Sequence, residues 1–177
     1  MFDTSTRWFA TTLFLATLAL GGLAVAAATE EEPVPPATGL FLIHAEAPSP
    51  DALPDPGPGR WIARYDYSFR DLEERPAPKY FLLAERPDVP LLLAESPETV
   101  EGEGGRPELL LQLTEDVAEE MERVTRENIG RSAAFVIDGD VVTAHKIRTV
   151  IEGGRIQLSR CTDDACEVIA VRLEQLR

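Results

Sequence analysis

Lysine, histidine and cysteine are all scarce in this chain. The only lysines are Lys79 and Lys146, the only histidines His44 and His145, and the only cysteines Cys161 and Cys166. Acids outnumber Lys and Arg by 31 to 17, so the formal net charge is −14. A phosphate backbone would repel such a chain, which argues against nucleic acid as a partner. Anionic lipid surfaces are disfavoured for the same reason. With two histidines and two cysteines there are few soft ligands, and no zinc site is expected. The C-x-x-C spacing of dithiol redox centres is absent. No G-x-S-x-G surrounds Ser132 or Ser159. The glycines of Glu101-Gly102-Glu103-Gly104-Gly105 lack the lysine and the strand–helix setting of a phosphate loop.

What remains is a core-forming chain of 177 residues with 44% hydrophobic content, enough for one modest domain. Trp8 to Ala28 carries no charge, follows Arg7, and ends Ala26-Ala27-Ala28 before Thr29. That pattern reads as a signal peptide cleaved between Ala28 and Thr29. The run is also long enough to span a bilayer, so a retained anchor is the alternative. Either reading exports the rest of the chain. In an oxidising compartment the pair Cys161 and Cys166 is expected to form a disulfide, with two free thiols as the alternative.

Eight of the fourteen prolines lie in residues 29–60, which read as an acidic, Pro-rich linker holding one strand candidate, Gly39–Ala45. Residues 61–106 read as N-terminal strands near 61–67, 79–84 and 88–93, then a loop over 95–107. From Pro107 the pattern is sharper. Leu109–Leu113 reads as a strand, and Thr114 as the N-cap of a helix with Glu115 and Asp116 in its first turn. Val117, Met121, Val124 and Asn128 form its inner stripe. Ala133–Ile137 and Val141–Lys146 flank Asp138-Gly139-Asp140, a hairpin signal. Arg155–Ser159 alternates as a strand, and a last helix buries Ala165, Ile169, Leu173 and Leu176 with Val168 beside them. The order β-α-β-β-β-α and its short connections predict an α+β fold, an antiparallel sheet with two helices packed on one face.

Residues 107–177 resemble the head subdomain of the first periplasmic domain of the SecD and SecDF family, accessory membrane proteins of the Sec translocase. The motif positions are Leu113-Thr114, then Thr125, Asn128 and Gly130 closing the helix, Asp138-Gly139, and Ile151 to Gly153-Gly154. The chain departs from the family at Ala144-His145, where a small residue and proline are usual, and in having Cys161 and Cys166. The resemblance implies the fold, a periplasmic setting and contact with polypeptide or a protein partner, including Sec components. It does not imply a full-length SecD or a proton-driven motor.

No catalytic set, cofactor site or metal site is expected, and the chain is read as a non-enzymatic binding domain. Asp138 and Asp140 lack the further oxygen ligands of a calcium loop and read as a turn. His145 lacks a partner in the sequence for acid–base work and reads as a surface histidine. The aromatics Trp61, Tyr65, Tyr67, Tyr80 and Phe81 read as core or half-exposed sheet residues, with a binding platform as the alternative. The competing readings are an envelope spacer and, more remotely, a hydrolase using His145 with an acid.

Overall fold

The structure, a computed structural model, describes residues 38–102, 105–159 and 161–175. The signal or anchor over residues 1–28, with Ala28 and Thr29, and the acidic start of the linker lie outside the described residues. Among the described residues, no helix is long and apolar enough to cross a membrane.

The elements are β1 (Gly39–Leu42), β2 (Ala45–Ala47), β3 (Arg60–Tyr65), β4 (Lys79–Ala84), β5 (Val89–Pro90), β6 (Glu98–Glu101), β7 (Pro107–Gln112), α1 (Glu115–Glu127), β8 (Ser132–Ile137), β9 (Asp140–Lys146), β10 (Arg155–Leu158) and α2 (Asp163–Glu174). They form three small antiparallel sheets, ordered β5-β1-β8-β9, β10-β7-β6 and β2-β4-β3. The fold is α+β, with the two helices on one side of the β5-β1-β8-β9 sheet.

That sheet is covered on both faces. Leu40, Leu42, Ala133 and Ile137 face a core with α1, α2 and β7, whereas Phe41, Ala134 and Val136 face a second core with β3 and β4. Side-chain alternation along β1 and β8 produces this split. All four residues of β1 are buried, as a strand covered on both faces requires. Residues 39–47 are therefore part of the fold and not a linker. β1 lies between β5 and β8, and β2 pairs with β4. Proline density marked this region as extended, but β1 itself contains none.

Residues 61–106 do not make one sheet. β3 and β4 form their own layer with β2, β5 joins β1, and β6 joins β7. β6 corrects the loop expected over 95–107. Thr99 and Val100 pair with Leu109 and Glu108, while Glu98 and Glu101 at its ends are exposed, a charged edge that discourages further pairing. The strand expected at 88–93 shrinks to Val89–Pro90, because Pro90 has no N–H to extend the ladder. Val168, expected on the inner face of α2, is 41% exposed; Cys166 takes the buried place.

Candidate functional site

The motif at the end of α1 is a knot of hydrogen bonds. Thr125, fully buried inside the helix, donates to Met121 O at 2.7 Å and accepts from Ile151 N at 3.0 Å. Asn128 donates through Nδ2 to Val124 O at 2.8 Å. Its Oδ1 accepts from Arg131 Nη1 at 2.8 Å. Gly130 N donates to Ile147 O, and Ile147 N to Arg131 O, each at 2.8 Å. The segment leaving β9 is thereby tied to the end of α1. At its other end Gln112 Nε2 donates to Gly153 O at 2.9 Å and Leu113 N to Gly154 O at 3.0 Å. Gly154 has φ +66°, and a Cβ there would sit 2.5 Å from Ala118 Cβ. No other residue fits this approach of turn to helix.

Asp138 and Gly139 have φ of 53° and 82° between the paired Ile137 and Asp140. A two-residue hairpin loop with both central φ positive matches the twist of its strands. Asp138 N donates to Thr38 Oγ1 at 2.9 Å. Asp140 pairs with Arg172 of α2 at 2.7 Å. Both acids lie at the end of the hairpin away from His145 and do not converge with it.

His145 lines a cleft of about 610 Å³. The floor is apolar, with Leu40, Phe135, Val142, Ile151 and Leu158. Arg70, His145, Lys146 and Arg148 stand along the cleft, with Thr143, Gln157 and Ser159 as further polar lining. Among the described lining residues there is no carboxylate. β10, whose residues Gln157 and Leu158 border the cleft, is an edge strand, paired among the described residues with β7 alone.

Arg70 organises this wall. Its Nη1 donates to Thr143 Oγ1 at 3.1 Å and to His145 Nε2 at 2.9 Å. Thr143 Oγ1 lies 2.7 Å from the same Nε2. A guanidinium N–H can only donate, so Nε2 is an acceptor and the ring is neutral. Partial desolvation of the ring, then the charges of Arg70 and Arg148, lower the His145 pKa below its ordinary 6.5. The Tyr65 hydroxyl, bonded to Thr143 and Arg70, has its pKa raised by burial. The Nε2 lone pair is already engaged, and among the described lining residues no carboxylate stands opposite. Sequence reasoning missed Arg70 because nothing local marks it; it arrives through its backbone bridge to Cys161.

Cys161 and Cys166, the pair expected to form a disulfide or remain as two thiols, are both buried and unbridged in this structure. Their side chains are hydrogen-bonded to one another, and burial raises the Cys161 pKa, favouring the protonated form. Cys161 Sγ also donates to Leu158 O at 3.7 Å. The start of α2 is fixed instead by Thr162, whose hydroxyl accepts from Ala165 N at 3.2 Å.

The family described as SecDF, P1 head subdomain, matches residues 92–175. The protein translocase subunit SecDF of Thermus thermophilus is 42% identical over 69 residues, 38% of this chain and 9% of that protein. The protein translocase subunit SecD of Acidaminococcus fermentans is 36% identical over 61 residues, 34% of this chain and 15% of that protein. The chain thus spans only a small part of the length of these relatives. Among solved structures, SecDF described as a membrane component that enhances protein export covers 48% of this chain and 40% of its own at 38% identity, with a TM-score of 0.43. SecDF in its super-membrane-facing form covers the same 48% of this chain and 12% of its own at 38% identity, with a TM-score of 0.42. The motif carried by Thr125, Asn128, Gly130, Asp138-Gly139 and Gly153-Gly154 lies wholly within the matched segment, and residues 92–175 of this chain are similar to the head subdomain of SecDF.

Proposed function

We propose that this chain is an exported, non-enzymatic domain that takes an extended stretch of polypeptide into the cleft beside β10, accessory to protein export. The observation that carries this reading is the cleft itself: an apolar floor next to an open strand edge, with no acid–base pair, in the head of a translocase-subunit family. An extended peptide gains main-chain hydrogen bonds from a free edge and sequence tolerance from apolar pockets. The partners in this account are unfolded polypeptide and Sec translocase components, and the location is the periplasm. Trp8 to Ala28 supplies the export signal or a membrane anchor.

The test is photo-crosslinking in exporting cells from a probe at Ser159, in the cleft, and from one at exposed Glu46 on the opposite sheet. Exported polypeptides or Sec components captured from Ser159 and not from Glu46 support the reading. No capture from either position contradicts it and favours the spacer.

A further inference from the structure

Charge is distributed against the average of the chain around this cleft. In a chain with 31 acids and 17 Lys and Arg, three cations line one cleft without a carboxylate among the described lining residues. Elsewhere several arginines are matched, Arg64 with Asp66, Arg106 with Asp71, Arg123 with Glu120 and Glu127, Arg126 with Glu122, and Arg172 with Asp140, while others such as Arg60 and Arg155 stand apart from the described carboxylates but not together in one cleft. Among the described residues, no carboxylate lies within 4.0 Å of Arg70, Lys146 or Arg148. Arg70 is held by neutral acceptors, and its Nε is buried with no hydrogen-bond partner among the described residues. Leaving a charged donor short of an acceptor is costly, and a carboxylate is the acceptor that suits a guanidinium best.

We propose that the cleft selects acidic extended peptides, one Asp or Glu carboxylate meeting Arg70 while neighbouring apolar side chains lie on Phe135, Val142 and Ile151. This rests on the polypeptide-binding reading above and adds the sequence class that is bound. The net charge of the chain does not forbid it. Screening confines charge interactions to about 8–10 Å at physiological salt, so a single carboxylate in the cleft senses the local cations. A polyanion running beyond the cleft meets the acidic surface, which excludes nucleic acid. The apolar floor and strand edge give a peptide contacts that inorganic phosphate cannot use. Arg70 lies outside the matched segment 92–175, so this preference belongs to the layer that residues 38–91 add to the head.

The experiment is fluorescence anisotropy on the full chain in mild detergent. The probes are labelled ten-residue peptides alternating apolar residues with Glu, with Gln or with Lys. The expected result is roughly tenfold tighter binding of the Glu peptide than of the Gln peptide, and weaker binding still of the Lys peptide. Arg70→Gln should abolish the difference. The rim double variant Lys146→Gln, Arg148→Gln, at two exposed positions, should reduce it with unfolding unchanged. Equal binding of the Glu and Gln peptides overturns the selectivity and leaves the polypeptide-binding reading standing. No binding of any peptide overturns both. Displacement of the Glu peptide by equimolar phosphate or an oligonucleotide overturns the assignment to peptide.

Discussion

Replacing Thr125 by valine separates a hydrogen-bonded fold constraint from simple packing. Valine keeps the branched shape and removes the hydroxyl, which donates to Met121 O at 2.7 Å and accepts from Ile151 N at 3.0 Å. Met121 O also belongs to the helix, so its loss is minor. The Ile151 N–H loses its acceptor at a half-buried site, which costs about 1–3 kcal/mol. Thr125→Ser keeps both bonds and deletes one buried methyl, at a cost of about 1 kcal/mol. Urea unfolding reads the difference as a fall in midpoint at constant m. We expect Val to be the more destabilising of the two. If Thr125→Val unfolds within about 0.5 kcal/mol of wild type, the hydroxyl does not hold the 147–151 segment to α1 and the reasoning fails. Because Ile151 lines the cleft, amide exchange at Ile151 should also speed up in the valine variant.

Gly153→Ala and Gly154→Ala share a positive φ but differ in space. The first should cost about 1 kcal/mol through the backbone alone, and the second distinctly more because its Cβ meets Ala118; equal thermal shifts would contradict this. With the His145 pKa lowered in the fold, the unfolded chain binds more protons between the folded value and 6.5. Stability therefore holds above 6.5, falls as pH drops through that window and levels below the folded value. His145→Gln should remove that part of the slope in denaturation measured from pH 8 to 5, and an unchanged slope would count against the Arg70–His145 contact. Cys161 should alkylate slowly in the native protein and quickly in urea, given its burial and raised pKa; fast native alkylation would place it at the surface.

The sequence was most legible where period and turn chemistry agree. Val117, Met121 and Val124 gave α1 its buried stripe, and Asp138-Gly139 between two β-type runs gave the hairpin. It was least legible where pairing partners, not local residues, decide. Glu98–Glu101 is strand because β7 lies beside it, and nothing within its four residues says so. Proline flanks Gly39–Leu42 in sequence, yet all four of its residues are buried and the strand is central. The candidate site shows the same division. His145 was visible as a residue without a partner, and the partner, Arg70, lies 75 positions away. Only the packing of the β2-β4-β3 layer brings it to the cleft.

Hydrogen exchange of the full chain with and without an unfolded, unlabelled polypeptide locates the peptide-binding surface. Slowed exchange is expected in Arg155–Leu158 and in residues 147–151, with β2, β3 and β4 unchanged. Protection centred on the β2-β4-β3 sheet, or no change anywhere, would contradict a polypeptide site in the cleft.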